Sequence, residues 1–216
     1  MRLLLEKVLE TSDIARVRAA LAGAAFVDGR DTSTLHGKNN LQLPLGSPAM
    51  ALAEQTVVYA LKAHATFELA ARPHFISPPL FSKYEAGMEY PEHIDAAAMS
   101  GRRADLSITL FLSDPATYAG GALVIDTGNG ERSYRLAAGD AIAYPSATLH
   151  RVAAVTHGER LAAVLWVQSD VRDPRKRHIL HDLASVLRDM DEHAYSSRLR
   201  RSYRNLVHLW SDVQAD

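Results

Sequence analysis

The chain has 216 residues, with 24 Lys+Arg against 25 Asp+Glu for a formal net charge of −1, and is 47% hydrophobic and 23% charged. Length allows one to two domains with a core burying roughly 70% of the unfolded surface. Composition excludes global disorder, collagen-like repeats and coiled coil, and near-neutrality excludes broad electrostatic capture of nucleic acid. Cysteine is absent, so any metal must be held by His, Asp or Glu. The opening Leu3-Leu-Leu5 is too short for a signal-peptide apolar region. No uncharged apolar run approaches the ~20 residues of a membrane span. The expectation is a cytoplasmic protein without membrane contact.

Ser12 with an Ile14/Val17/Leu21 stripe predicts a capped helix ending near Gly23. Phe26 to Arg30 reads as a strand and Asp31 to Pro48 as a polar loop. Ser47-Pro48 form an N-cap and first turn for a helix that runs through Val57, Ala60 and Leu61 and fades before Pro73. Phe81 to Tyr84 is a further strand. Leu106, Ile108, Leu110 and Leu112 alternate at period 2, as in a half-buried strand. Strands follow at Ala122–Asp126 and Ser133–Leu136, joined by the hairpin signal Thr127-Gly-Asn-Gly130. After a turn at Ala137–Asp140, Ala141–Tyr144 and Leu161–Val167 complete the strand set. Short antiparallel strands with Gly-rich turns favour a sandwich or jelly roll. From Asp173 the chain turns helical, with Ile179, Leu183, Val186 and Leu187 on one face, and a last helix spans about Arg198 to Trp210.

Chemistry is sought among ten histidines. His93-Ile-Asp95 is a pair expected about 0.7 times by chance, so spacing alone is equally a surface His bonded to an Asp. In an extended segment, however, residues two apart share a face. Two imidazoles and one carboxylate suit a non-haem ferrous ion. His150, after the turn Ser146-Ala-Thr148, is the candidate second imidazole. Arg160 opens an apolar strand, where a guanidinium needs a carboxylate partner; a rim salt bridge is the plain alternative. Tyr84 reads alone as a core aromatic. The remaining histidines (His36, His64, His74, His157, His178, His181, His193, His208) fit no ligand pattern; His178 and His181 suit a solvated helix face. The basic run Arg198–Arg204 sits in a nearly charge-balanced tail, and reads as an exposed helix face or an interface.

The blocks Pro79-Leu-Phe-Ser-Lys-Tyr84, His93-Ile-Asp95, Asp105–Pro115, Tyr118–Val124, Ala138-Gly-Asp140, Tyr144–His150 and Leu165–Ser169 together resemble the iron- and 2-oxoglutarate-dependent dioxygenases of the prolyl-4-hydroxylase type, specifically the bacterial PKHD-type hydroxylases. Lys38-Asn-Asn40 looks like a further family feature with no chemical role to argue. The resemblance implies an α+β fold: residues 1–76 as flanking helices and strands, a double-stranded β-helix (jelly roll) core over 77–170, and a helical extension over 171–216. It implies His93, Asp95 and His150 as Fe(II) ligands, Arg160 on the distal carboxylate of 2-oxoglutarate, and Tyr84 near that cosubstrate. Hydroxylation of an unactivated C–H bond with release of succinate and CO2 follows, with a link to iron uptake and ascorbate as a reductant. The substrate, small molecule or protein, is not written in these residues, and the C-terminal helices offer a surface for a homo-oligomer. One departure is Ala122, where this motif usually carries Glu after Gly120-Gly121. Two alternatives remain: a non-catalytic iron or 2-oxoglutarate sensor on the same barrel, and a cupin-type isomerase or hydrolase, which needs no Arg160.

Overall fold

A computed structural model describes residues 2–32, 37–190 and 195–212. The chain runs β1 (Leu3–Leu5), α1 (Thr11–Leu21), β2 (Val27–Asp28), a 3-10 turn (Gly29–Thr32), β3 (Leu41–Gln42), α2 (Pro48–Ala63), α3 (Ala65–Ala71), β4 (Pro73–Ile76), β5 (Leu80–Tyr84) and β6 (Tyr90–His93). It continues through β7 (Ala98–Met99), β8 (Arg102–Arg103), β9 (Leu106–Phe111), β10 (Tyr118–Gly120), β11 (Leu123–Asp126), β12 (Glu131–Tyr134) and β13 (Ala141–Pro145). The last elements are β14 (His150–Val152), β15 (Val155–Gly158), β16 (Arg160–Ser169), α4 (Pro174–Asp189) and α5 (Ser196–Trp210).

Helices and antiparallel sheets are thus mixed. An eight-stranded sheet has the order β1-β13-β9-β16-β5-β3-β2, with β4 also pairing β16; a four-stranded sheet has the order β12-β11-β14-β6. The three leucines near the start form the edge strand β1, with Leu3 opposite Ala143. Three residues are too few to show a period, so the sequence did not reveal it.

Alternation on β9 decides the layering. Leu106, Ile108 and Leu110 join Leu5, Phe81, Ala143, Ala163 and Leu165 in one apolar layer with Val17, Leu21, Val57, Leu61 and Phe67 of α1, α2 and α3. Each such large side chain contributes about 1.5–3 kcal/mol on burial. From the opposite face, Phe111, Ile142 and Tyr144 meet Leu123 and Ile125 of the smaller sheet. All six β9 residues are buried, which corrects the half-buried expectation: the second face of β9 looks into the protein, not into water.

Three helix expectations also shift. α1 starts at Thr11 with Glu10 as N-cap, leaving Ser12 inside the first turn. Pro48 does open α2, but the Ser47 hydroxyl makes no capping bond, and the helical run breaks at His64. There the ring accepts the Phe67 N–H at 3.3 Å, while its other nitrogen donates to Glu6 O at 3.2 Å. On α4 the buried stripe is Leu180, Ala184 and Leu187; Ile179 and Val186 are exposed. Arg177 helps set that rotation, since its buried guanidinium donates to Val171 O at 2.7 Å and Arg172 O at 2.8 Å. No helix among the described residues is long and apolar enough to cross a membrane.

Candidate metal centre

β6 and β14 run antiparallel with His93 directly opposite His150. Cross-strand neighbours share a face, and the two rings stand 4.2 Å apart. Asp95, two residues past His93, folds back over both: Oδ1 lies 3.7 Å from His93 Nε2 and Oδ2 lies 3.9 Å from His150 Nε2. The three ligand atoms lie within 4.8 Å of one another, the one such metal-capable cluster among the described residues.

Backbone carbonyls fix the tautomers. His93 Nδ1–H donates to Pro91 O at 2.8 Å and His150 Nδ1–H donates to Thr148 O at 2.9 Å. Each ring therefore keeps its lone pair on Nε2, aimed at the shared point. Burial and the adjacent His150 hold His93 below the ordinary imidazole value, so it stays neutral, as a metal ligand must. Ser107 Oγ donates to Asp95 Oδ2. Its one proton is used there, so Ser146 Oγ, 3.0 Å away, donates to Ser107 in turn. The set of two neutral imidazoles and one oriented carboxylate, with no thiolate, fits Fe(II) and leaves open coordination positions.

A cavity of about 470 Å³ begins at this cluster and extends to Arg160; Tyr84, Thr109, Leu123, Tyr144 and Val164 are among its walls. Arg160, the first residue of β16, is 2% exposed. It forms no ion pair with any described carboxylate, and its Nε has no hydrogen-bond partner. The guanidinium carbon stands 5.2 Å from the Tyr84 ring and 5.5 Å from the Phe111 ring. This rules out the rim salt bridge: a buried cation faces a cavity without its counter-ion. Gly121 (φ +62) leaves room for it, since a Cβ there would fall 3.1 Å from Arg160 Cδ and 2.9 Å from Val155 Cγ2. Ala122, in the motif's departing position, offers only its carbonyl, which accepts the Ala153 N–H at 2.9 Å.

Tyr84 lies opposite Arg160 across β5 and β16. Burial pushes its hydroxyl up to about 12, against the opposing pull of Arg160 and the Asn40 carboxamide. Burial pushes Tyr144 up as well; both remain proton donors. Four cavity residues have no chemical role that the sequence alone suggests. Tyr90 stacks on His93 at 3.9 Å, Lys38 stands 5.0 Å from the Tyr90 ring centre, and Asn40 and Trp166 line the wall. Ser107 was legible only as the polar half of an alternating strand. Elsewhere, His178 is an exposed partner of Asp182 at 3.6 Å, and His36 and His193 lie outside the described residues.

Comparison with known proteins gives the same direction. Residues 79–168 match the model of the 2OG-Fe(II) oxygenase superfamily. A PKHD-type hydroxylase of Acaryochloris marina is 42% identical over 98% of this chain and 100% of its own length. The PKHD-type hydroxylase YbiX of Escherichia coli is 40% identical over 95% of this chain and 97% of its own. Among solved structures, a Trichoplax adhaerens prolyl hydroxylase bound to a hypoxia-inducible-factor peptide fragment superposes with TM-score 0.58. It has 15% identity, over 83% of this chain and 86% of that one, a likeness of fold.

Proposed function

The chain belongs to the PKHD-type hydroxylases of the 2OG-Fe(II) oxygenase superfamily, and from that premise we propose that His93, Asp95 and His150 hold its iron while Arg160 anchors its cosubstrate. It is a 2-oxoglutarate-dependent hydroxylase using Fe(2+). When bound, iron and 2-oxoglutarate supply the oxidising power that places an oxygen atom from O2 into an unactivated C–H bond, with release of succinate and CO2.

The protein's own part is orientation and water exclusion. Two carbonyl-locked imidazoles and a serine-held carboxylate present three donors from one side, leaving the other side open. Arg160 offers a planar fork for the distal carboxylate, and the Tyr84 hydroxyl beside it adds a second donor. Leu123, Val152 and Val164 give the cavity between them an apolar wall, which keeps the reacting end dry. We read the two facing antiparallel sheets as the double-stranded β-helix core of such enzymes. The reading extends to a link with iron uptake, which rests on the family resemblance alone and leaves the substrate a small molecule or a protein.

One observation carries the proposal: an unpaired, fully buried guanidinium shares a cavity with a His/Asp/His cluster. A sensor would keep both, so succinate formation on addition of a C–H substrate is the discriminating product. A cupin-type isomerase or hydrolase has no use for Arg160. Anaerobic Fe(II) plus 2-oxoglutarate is expected to give a visible charge-transfer band that His93→Ala and Asp95→Ala abolish. Arg160→Ala is expected to raise the 2-oxoglutarate requirement at least tenfold, with partial rescue at high concentration. A metal-loaded wild type with no band would overturn the assignment.

A further inference from the structure

Asn39 and Asn40 are neighbours with opposite surroundings. Asn39 ties two loops together, since its backbone pairs with Glu89 and its amide donates to Gly87 O at 3.2 Å. Asn40 is 2% exposed and lines the cavity; neither Nδ2 nor Oδ1 completes a well-formed hydrogen bond, although the carboxamide already pulls on the Tyr84 hydroxyl. A buried polar group in that condition costs the fold stability. Such a cost is retained where a ligand or a reaction uses the group.

The sheet register says which group that is. On β3 and β5, Leu41 faces Lys83 and Gln42 faces Ser82, so the next residue back, Asn40, comes alongside Tyr84. Tyr84 in turn faces Arg160. A row Asn40–Tyr84–Arg160 therefore crosses three strands, with all three side chains on the cavity wall. The carboxamide is also built into its place. Gly29 N–H donates to Asn40 O at 2.8 Å, and a Cβ on Gly29 would lie 1.9 Å from Asn40 Oδ1. Oδ1 thus sits in the notch that a glycine leaves, and the carboxamide is near enough to Tyr84 to act on its hydroxyl.

We propose that Asn40 is a positioning residue for the cosubstrate: Nδ2 donates to the Tyr84 oxygen, so that the hydroxyl's own proton is directed at the distal carboxylate of 2-oxoglutarate beside Arg160. The inference rests on the function proposed above. A phenol has one proton and can also accept; an amide N–H offered to its oxygen leaves that proton for an acceptor in the cavity. Binding of the cosubstrate then draws the row together and gives Nδ2 its acceptor. The tyrosine's elevated ionisation value keeps the proton in place at working pH.

The test is titration of 2-oxoglutarate by calorimetry into protein loaded with redox-inert Mn(II), with metal content measured separately. Asn40→Ala and Tyr84→Phe are each expected to weaken 2-oxoglutarate five- to tenfold. The double variant should be no weaker than Tyr84→Phe, because the first residue acts through the second. Asn40→Asp should bind 2-oxoglutarate most weakly of the Asn40 variants, since a carboxylate accepts the tyrosine's hydrogen bond in place of the cosubstrate and adds negative charge near an anion. Uncoupled succinate formation at saturating 2-oxoglutarate should change less than twofold in Asn40→Ala, a split that mere structural damage would not give. An Asn40→Ala affinity within twofold of wild type, or losses that multiply in the double variant, overturns the inference. If Asn40→Ala does not fold, the near-isosteric Asn40→Asp decides alone, and unchanged affinity there is fatal. Arg160→Ala separates the two levels. If it retains 2-oxoglutarate affinity, the underlying reading falls; if it loses affinity while Asn40→Ala keeps it, only the present inference falls.

Discussion

On β9, Leu106, Ile108 and Leu110 turn toward the helices, while Ser107, Thr109 and Phe111 turn toward the cavity. The same division runs across the sheet. Ala141 and Ala143 of β13 pack outward, and Ile142 and Tyr144 pack inward; Ala163 and Leu165 of β16 pack outward, and Val164 and Trp166 line the cavity. The helix-covered side is almost wholly apolar and close-packed. Its opposite is also largely buried but bounds the cavity and carries hydroxyls, an amide and a guanidinium. One set of strands thus stabilises the fold with every second residue and builds the reaction site with those between, because side chains alternate.

Substitutions can break that division from either side. Leu110→Ala, on the outward side, is expected to lower unfolding free energy by about 2–5 kcal/mol, measured by urea denaturation, while the folded fraction keeps its metal affinity. Ser107→Ala, on the inward side of the same strand, should do the reverse. Removing the donor to Asp95 is expected to weaken Fe(II) roughly 10- to 100-fold with little change in denaturation midpoint. A Leu110→Ala protein that loses metal affinity while still folded would show that the two sides are not independent.

The last effect concerns Lys38 and shows only as pH rises. Burial lowers its ammonium to about 8 from an ordinary 10.5. Between those values the unfolded chain holds a proton that the folded chain has released, so this group raises stability as pH climbs from about 8 towards 10.5; below about 8 both states are protonated and its contribution is flat. Wild type should therefore gain stability relative to Lys38→Met over that interval. Denaturation at pH 7, 8.5 and 10 checks it, and a constant difference across the three would refute it.

Much of this division was legible beforehand. Leu106, Ile108 and Leu110 announced a strand by their spacing, and His93, Asp95, His150 and Arg160 were nominated by residue type and motif order; the structure brings all four to one cavity. The rest was hidden for identifiable reasons. Period 2 says that β9 has two faces, but not that the polar one is enclosed. β14 and β15 are too short to carry a period. The break between α2 and α3 depends on a histidine ring capping a helix, which no propensity encodes. On α4, Ile179 and Val186 are as apolar as the residues actually buried, and the Arg177 hydrogen bonds to preceding carbonyls help to settle the rotation. Lys38 and Asn40 come from a stretch without pattern, and only the register of β3 brings the latter alongside Tyr84.

β16 is hydrogen-bonded to β9 along one edge and to β5 and then β4 along the other, so most of its ten residues have no free border. Arg160 is mounted at the first of them. Arg160 itself pairs only with Tyr84 of β5, but its neighbour Leu161 is tied on the other side to Leu112 and Ser113, so fraying must open the strand end on both edges to release the guanidinium. The other end of the cavity is lined by Ile94, Ala96 and Met99, in and just before the short β7–β8 hairpin, where the chain has far fewer partners.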